Sequence, residues 1–387
     1  MTPPNDWNLS GLRARRLALA VVALAGIGCA ADPPRQSDGG PTGGMGGGSS
    51  GGNGTGGSGG GPPGPSGLPV PPGPGDVPRP AGTPGNLKVL SWAGFKAAVT
   101  YTFDDAQPSQ LEHYAELQAT GVRHTFYITT SSSTATSGFD AKFRQAVSDG
   151  HEMGNHTVHH CHIDLTGCSN TAGAPASVAA ELDDCNSYIT GHFGQSDVWT
   201  AASPYGDSGW DAPDMSRFFI NRGVASGAVS PNDNTDPFNL PCHAAVEGET
   251  AAMFNAVIDD VDARNRWAIF LVHTIGPTSQ NWYAPIDISV ITDSVAHAKS
   301  LGDVWIDSMV NVGAYWRAQK LLSTVAPAAA GGGQTWTWAL PPHFPPGKAL
   351  RVTVEGGTLS QNGTPLTWDP HGYYEIALDA GSLTLSP

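Results

Sequence analysis

The pattern of apolar and polar residues changes twice along the chain. Residues 31–85 are mostly Gly, Pro and Ser, residues 86–325 alternate between strand-like and helix-like runs, and residues 334–387 contain only short alternating runs. A segment of the first kind buries too little apolar surface to offset its ordering entropy, so we predict a disordered tether over residues 30–85. The remainder is long enough for one large domain and one small one.

The large domain is predicted to be α/β. Its predicted helices cover 110–120, 139–148, 177–190, 253–263 and 311–320. Its predicted strands cover 98–103, 124–128, 198–202, 267–272 and 303–306, and the run at 267–272 is apolar throughout, as in a strand buried on both faces. Alternating strands and helices of this number predict a parallel sheet that closes into a distorted, incomplete (β/α) barrel over residues 86–325.

Residues 334–387 are predicted to form a small C-terminal all-β module. Predicted strands at 335–340, 349–354, 364–368 and 373–378 follow an Ala/Gly/Pro linker, and Asn362-Gly363 is a strong hairpin-turn signal. The aromatic rings of this module either stack on sugars or form the core of a small fold, and we favour the core. The rings in question are Trp336, Trp338, Trp368, Tyr373 and Tyr374.

Polar residues follow several predicted strands directly. Asp104 and Asp105 follow the strand at 98–103, and His273 follows the strand at 267–272. His156 follows a short run after the second helix, and residues 203–206 follow the strand at 198–202. Because catalytic groups of parallel barrels lie at the carboxyl ends of the strands, we expect these residues to share one site.

The histidine spacing indicates a metal. His156 and His160 are four residues apart, so one helical turn would place both rings on one side. One carboxylate and two neutral imidazoles suit Zn²⁺ and leave positions open for water and substrate. A second carboxylate beside such a site is the equipment of metal-assisted hydrolysis.

These motifs resemble those of the polysaccharide deacetylases of carbohydrate esterase family 4. The resemblance covers roughly residues 95–320 and lies in Thr102-Phe103-Asp104-Asp105, His156-Thr157-Val158-His159-His160 and Leu271-Val272-His273. It implies one divalent metal ion, Zn²⁺ foremost, with Co²⁺ or Ni²⁺ as alternatives.

The resemblance also implies a role for each matching residue. Asp105, His156 and His160 would bind the metal, Asp104 would be the general base, and His273 would be the general acid. The substrate-binding residues would be Tyr205 through its backbone N–H, Leu271 beside the acetyl methyl, and Pro204 in the same turn as Tyr205.

Two family features are missing from their usual places. The third motif carries an Arg where this chain has Ala202, and Arg222 is a candidate to substitute from a neighbouring element. The Asp–Trp pair that adjusts the catalytic histidine is not recognisable, and Asp233 or Asp236 is our candidate for its carboxylate.

The first 29 residues are predicted to be an export signal. Three arginines precede a short apolar run at 17–27, which is too short to span a membrane, and Gly28-Cys29 follows. This arrangement resembles a bacterial lipoprotein signal, so we expect lipidation at Cys29 and an anchor in the cell envelope. Simple secretion is the alternative.

The remaining cysteines form an even set, which in an exported protein predicts disulfides. We favour pairing Cys161 with Cys168 and Cys185 with Cys242. Zinc ligation by Cys161, which adjoins His160, is the less favoured alternative.

The functional prediction is a metal-dependent hydrolase that removes acetyl groups from a polysaccharide. We favour N-deacetylation of an N-acetylhexosamine polymer such as chitin, peptidoglycan or poly-N-acetylglucosamine, which is hydrolysis of a carbon–nitrogen bond other than a peptide bond. The alternatives are a carboxylic ester hydrolase acting on O-acetylated xylan, and a surface glycan-binding protein with a decayed site. The formal net charge of -15 argues against nucleic acid as a partner, and we expect a monomer.

Overall fold

The computed structural model describes residues 66–387 except 135–137, 170–172, 174, 279–282 and 331. The predicted export signal with Cys29 and most of the predicted tether therefore lie outside the described residues. In the described part of the chain, no helix is both long and apolar enough to cross a membrane.

Strands and helices alternate as far as residue 324, and the remaining described residues form strands and one short 3-10 helix (Leu378–Ala380). The helices are α1 (Pro108–Glu112), α2 (Tyr114–Ala119), α3 (Phe139–Ser148), α4 (Val178–Phe193), α5 (Asp211–Met215), α6 (Ala251–Arg264), α7 (Ile288–Leu301) and α8 (Met309–Thr324). The strands up to α8 are β1 (Lys88–Val89), β2 (Ala97–Phe103), β3 (Thr125–Ile128), β4 (Glu152–Asn155), β5 (Thr200–Ala202), β6 (Ile220–Ser226), β7 (Leu240–Ala244), β8 (Trp267–Val272), β9 (Ile275–Gly276), β10 (Ile286–Asp287) and β11 (Val304–Ile306). The later strands are β12 (Ala328–Ala330), β13 (Gly333–Thr337), β14 (Ala349–Thr353), β15 (Thr358–Gln361), β16 (Thr364–Pro365), β17 (Trp368–Asp369), β18 (Tyr373–Ala377) and β19 (Ser382–Ser386).

Strands β2 to β8 form a closed parallel ring. They lie side by side in chain order, and β2 pairs with β8 from Ala98 to Phe103 to close the ring. The other edge of β2 is shared, because β11 pairs with its first half and β3 with its last two residues. Among the described strands the ring thus has seven members where a complete barrel has eight. The predicted distorted, incomplete (β/α) barrel with an all-β C-terminal region is confirmed.

The two-residue period of the strands directs side chains either to the helices or into the ring. The odd-numbered residues of β2 join the cluster packed under the surrounding helices, whereas Ala98 joins the cluster inside the ring. On β8 the inner cluster contains Trp267, Ile269 and Leu271. Continuing each inner series past the strand end reaches Asp104 and His273.

The helix boundaries follow from local capping. Ser177 precedes α4, and its Oγ accepts a hydrogen bond from the N–H of Ala180 at 3.1 Å. Gly194 follows the same helix with φ +82°, a left-handed conformation that costs glycine little. This helix packs beside β4, which leads into the histidine motif.

The C-terminal strands form antiparallel sheets that share a core with the barrel. Strand β1, ahead of the barrel, pairs with β14. Trp267 of the barrel, Trp316 of α8 and Leu350 of β14 belong to one buried cluster. The module at 334–387 is all-β as predicted, but it and the barrel belong to one compact unit. The hydrophobic pattern of a strand shows that one face is buried, but not whether that face packs within the C-terminal module or against the barrel.

Residues 66–85 correct the predicted boundary of the tether. The buried guanidinium of Arg351 donates hydrogen bonds to the carbonyls of Leu68 at 3.2 Å and Pro69 at 2.6 Å. The indole of Trp368 donates to the carbonyl of Val77 at 2.8 Å. This proline-rich segment leaves its carbonyls free of local partners, so it can satisfy donors of the C-terminal module.

The aromatic rings of the C-terminal module lie in its core. Trp336, Trp338, Tyr373 and Tyr374 are buried, and Trp368 is half-buried. The four buried rings have no free face for a sugar, which agrees with the interpretation we favoured from the sequence.

Candidate metal centre and active site

The three predicted metal ligands lie together at the carboxyl end of the barrel strands. Asp105 follows β2, and His156 and His160 follow β4. Asp105 Oδ1 lies 3.4 Å from His156 Nε2 and 3.6 Å from His160 Nε2, and the three atoms lie within 4.8 Å of one another. Tetrahedral Zn²⁺ with ligand bonds of about 2 Å holds its ligand atoms about 3.3 Å apart, so this spacing fits one ion.

A bent loop, not the expected helical turn, brings the two histidines together. Thr157 and His160 have positive φ values of 65° and 51°. The side chain of Asn155 accepts a hydrogen bond from the Thr157 N–H, and the hydroxyl of Thr157 accepts one from the His160 N–H. These side-chain contacts compete with helical hydrogen bonds, which explains why four-residue spacing did not produce a helix here.

Each candidate ligand has a partner on the side facing away from the metal position. His156 Nδ1 donates to the Ala202 carbonyl at 2.8 Å, and His160 Nδ1 lies 3.1 Å from Ser169 Oγ. Asp105 Oδ2 accepts from the Gln107 amide at 3.2 Å. Asp105 Oδ1 is buried and has no hydrogen-bond partner among the described residues. Both Nε2 lone pairs and this carboxylate oxygen are thus available to a cation, and the residues fit a divalent metal.

The electrostatics favour the protonation state that a metal ligand needs at Asp105 and His160, but not at His156. Burial opposes ionisation of Asp105, but the hydrogen bond and charge of His156 and the charge of His160 hold its pKa well below the usual range. Burial, together with the charge of His156, lowers the pKa of His160 to about 4. For His156 burial acts in the same direction, but the negative charges of Asp104 and Asp105 outweigh it and raise its pKa.

Arg222 places a guanidinium beside Ala202, the position where the third motif lacks its arginine. In the register of β5 and β6, Arg222 lies directly beside Ala202. Its Nη2 donates to Asp104 Oδ2, and its side chain is completely buried, with the guanidinium 5.3 Å from the centroid of the Tyr127 ring. Burial disfavours the charge of Arg222, but the adjacent Asp104 outweighs this effect and raises its pKa. The candidate base therefore has a fixed partner from the neighbouring strand.

His273 lines the same cavity as the histidine pair. The amide of Gln110 donates both to the Asp104 carbonyl at 2.6 Å and to the His273 carbonyl at 3.0 Å, which ties the two strand ends together. His273 Nδ1 is buried without a hydrogen-bond partner among the described residues. Burial lowers the pKa of His273, although the charges of Asp104 and Asp105 oppose the shift. The His273 and Tyr283 rings form a T-shaped pair with a centroid distance of 4.9 Å.

Neither predicted carboxylate partner of His273 is correct. Asp233 accepts hydrogen bonds from the Ser230 and Thr235 N–H groups, and Asp236 accepts one from Phe238. This segment meets the first residue of β8, at the opposite end of that strand from His273. The two aspartates stabilise a loop at that end of the barrel. The sequence alone cannot show at which end of the barrel a loop lies.

A cavity of about 510 Å³ joins these groups. Tyr205 is 45% exposed at its rim and Leu271 is buried in its wall. Pro204 is buried in the turn before Tyr205 and does not belong to the described lining of the cavity. The residues that line it are Asp104, Asp105, His156, His160, Ser169, Ser203, Tyr205, Val224, Ala244, Leu271, His273 and Tyr283.

One of the two predicted disulfides is present in the structure. Cys161 and Cys168 form a disulfide, so Cys161 is not a metal ligand. Cys185 and Cys242 are free and buried, which corrects the second predicted bridge. Cys185 lies on α4 among the residues packed outside the ring, whereas Cys242 lies inside it on β7. An even count of cysteines cannot show this separation.

Several supporting residues escaped the sequence analysis. Gln107 connects Asp105 to the strand end after His273, because its amide oxygen accepts a hydrogen bond from the Thr274 hydroxyl at 2.5 Å. Gln110 holds the backbone at Asp104 and His273, and Ser169 contacts the His160 ring. In the sequence, Gln110 could have been noticed as a polar residue beside Leu111 in a predicted helix close to the first motif.

A carboxylate and two imidazoles, with a second carboxylate and a further histidine in the same cavity, define the class of site used in metal-assisted hydrolysis. Residues 94–217 match the family model described as polysaccharide deacetylase. This match confirms the family resemblance over residues 94–217. The matched range contains the first three motifs but ends before Arg222 and His273.

The chain is also similar to solved structures of this family at low sequence identity. A family 4 acetyl xylan esterase from Clostridium thermocellum, in complex with a cobalt ion, is 17% identical over 56% of this chain and 89% of its own, with a TM-score of 0.36. A mutant peptidoglycan deacetylase from Bacillus subtilis is 16% identical over 56% and 89%, with a TM-score of 0.36. A family 4 carbohydrate esterase from Bacillus anthracis is 15% identical over 58% and 86%, also at 0.36. No curated protein matches the chain.

Proposed function

We propose that this protein is a metal-dependent hydrolase that removes acetyl groups from a polysaccharide, with N-acetylhexosamine polymers as the preferred substrates. The observation that carries the proposal is the convergence of Asp105 Oδ1, His156 Nε2 and His160 Nε2 beside Asp104. Asp104 Oδ2 lies 3.6 Å from His156 Nε2, so the candidate base is a neighbour of the metal position.

The residues of the cavity divide the chemistry among them. A bound divalent cation, for which Zn²⁺ is the best match to these donors, supplies Lewis-acid activation of water and of the acetyl carbonyl. Asp104 accepts the proton of the attacking water and is held in place by Arg222. The backbone N–H of Tyr205 stabilises the negative charge that develops on the carbonyl oxygen. Leu271 contacts the acetyl methyl.

His273 donates a proton to the leaving group. An amine leaves an amide only when it is protonated, whereas an alkoxide depends less on an acid, so the presence of His273 in the cavity supports N-deacetylation. Hydrolysis of O-acetyl esters, as on acetylated xylan, is the alternative within the same chemistry.

The rival function is glycan binding by a site that has lost catalysis, which Ala202 would suggest. Arg222 argues against this rival because it already pairs with Asp104 from the neighbouring strand. The candidate ligands, base and acid all line one cavity.

Acetate release from chitooligosaccharides, peptidoglycan and acetylated xylan, measured with and without a chelator, tests the proposal. We expect release that disappears on chelation and returns with Zn²⁺. Asp104→Asn should lower kcat by about 10²- to 10⁴-fold while metal binding persists. Asp184→Asn, at an exposed position, is the matched control. Glycan binding without acetate release from any of the three substrates would favour the rival.

We further propose that the chain is exported and anchored through a lipid on Cys29, with secretion as the alternative. The Cys161–Cys168 disulfide supports export, because such bridges persist in oxidising compartments. Cys29→Ala should move the protein from the membrane fraction to the medium, and an unchanged membrane fraction would contradict the anchor.

A further inference from the structure

A short disulfide-closed loop connects the candidate ligand His160 to Ser169. We call residues 160–169 the clasp loop. The bridge joins Cys161, directly after His160, to Cys168, directly before Ser169. The Ser169 N–H also donates to the His160 carbonyl at 3.3 Å. The two ends of the clasp loop are therefore held together next to the metal position.

A directed chain of hydrogen bonds runs through this loop. The Tyr205 hydroxyl donates to the Gly167 carbonyl at 2.5 Å. Its oxygen is therefore left to accept from the Ser169 hydroxyl, 3.4 Å away. Ser169 Oγ in turn accepts from His160 Nδ1 at 3.1 Å. This order places the imidazole proton on Nδ1 and leaves the Nε2 lone pair facing Asp105, which is the tautomer that a metal requires.

The Tyr205 ring packs against the same loop. It lies edge-on to the His160 ring at a centroid distance of 4.5 Å and stacks on the His162 ring at 4.1 Å. The rotation of the His160 ring is thus limited both by Ser169 and by Tyr205.

Ser169 is solvent-exposed, so water competes for its hydrogen bonds. A hydroxyl on an open loop would spend much of its time away from His160. The covalent bridge closes a loop with a sequence separation of 7 and removes most of that freedom. The contact between Ser169 and His160 therefore depends on the bridge.

We propose that Ser169 is a positioning residue for His160, and that the Cys161–Cys168 bridge sets the affinity of the site for its divalent cation. This inference rests on the proposed metal-dependent function. It implies that the protein reaches full metal affinity only after the bridge has formed. Because the bridge forms by oxidation of the two cysteines, tight metal binding would then be restricted to an oxidising compartment.

The first test is the Zn²⁺ dissociation constant of the purified protein, measured by competition with a chromophoric chelator. Ser169→Ala should weaken binding about 10-fold or more, because loss of an outer partner of a metal-bound histidine costs about 10- to 100-fold. Ser169→Thr keeps the hydroxyl and should restore most of the affinity. Ser300→Ala removes an exposed hydroxyl on α7 and is the matched control. The visible spectrum of the Co²⁺-loaded protein should change with Ser169→Ala and not with the control.

The second test removes the bridge. The Cys161→Ser/Cys168→Ser double variant should bind Zn²⁺ about 10- to 100-fold more weakly, and reduction should weaken the wild type but not the variant. If this variant does not fold, as judged by circular dichroism, the fall in Zn²⁺ affinity on reduction of the wild type decides the role of the bridge, and Ser169→Ala decides that of the serine. Wild-type affinity in both variants would overturn the role of the clasp loop while leaving the metal site intact. Absence of metal binding by the wild type would instead overturn the proposed function itself.

Discussion

At the residue scale, membership of the site was predictable for residues whose type and motif indicate a chemical role. The sequence motifs indicated Asp104, Asp105, His156 and His160, and the structure brings all four to one cavity. Their supports were harder to find because a hydrogen bond to a carbonyl or an amide needs no particular sequence spacing. Arg222 was only a candidate, since nothing in its neighbourhood shows that it lies beside Ala202.

The pairing of Arg222 with Asp104 can be tested at both positions. Arg222→Ala leaves a buried carboxylate without its cation, so we expect a loss of about 3–5 kcal/mol in the free energy of unfolding and a large fall in kcat. The double variant Ala202→Arg/Arg222→Ala returns the guanidinium to the usual motif position and should recover part of both. Urea unfolding and acetate release provide the measurements.

Arg264→Ala is the control for that experiment, because Arg264 is an exposed residue paired with Asp260. Wild-type kcat in Arg222→Ala would show that Asp104 needs no guanidinium. Absence of any recovery in the double variant would show that the position of the guanidinium, and not only its charge, is decisive.

At the level of elements, strands with a regular apolar pattern were predicted from the sequence, whereas strands that carry buried polar residues were missed. The strand predicted at 267–272 coincides with β8, and the helix predicted at 139–148 coincides with α3. Strands β6 and β7 and helix α7 were not predicted. In β6 the buried residues include Asn221 and Arg222, so the alternation that marks a strand is broken where the side chains serve the site.

Strand β4 offers a test of how closely the elements pack behind the site. A Cβ at Gly154 would overlap the ring of Tyr127 and approach Thr200 Oγ1 to 2.9 Å. Because the Tyr127 ring lies against the guanidinium of Arg222, Gly154→Ala should cost about 1–3 kcal/mol in unfolding free energy and also lower kcat.

Gly191→Ala is the matched control for this substitution. Gly191 lies inside α4 with nothing within 4 Å of its added Cβ. Alanine there should raise the unfolding free energy by about 0.5–1 kcal/mol without changing kcat. Equal effects of the two substitutions would show that the space behind Tyr127 is not restrictive.

At the scale of the whole molecule, the barrel and the C-terminal strands depend on each other. Arg351 connects three parts of the chain, since it donates to Leu68 and Pro69, to the Ala93 carbonyl, and to Glu375 at 3.0 Å. The boundary at residues 85 and 86, which we predicted from composition, therefore lies inside one folded unit.

Shortening the chain tests this boundary. A protein that begins at residue 86 lacks the carbonyl partners of Arg351 and Trp368, so its free energy of unfolding should fall by about 2–5 kcal/mol relative to one that begins at residue 66. Urea unfolding measured on both proteins provides the comparison. Equal stability would mean that residues 66–85 are dispensable and that the predicted boundary was adequate after all.

The sequence by itself determined which residues are the candidate ligands, the candidate base and the candidate acid, as well as the class of fold, because residue type and strand period are local properties. Only the tertiary structure decided that Arg222 lies beside Ala202 and pairs with Asp104, that Asp233 and Asp236 lie away from His273, and that Cys185 and Cys242 remain apart. Those outcomes depend on which strand lies beside which and at which end of the barrel a loop falls. They are relations between distant segments that a local pattern does not contain.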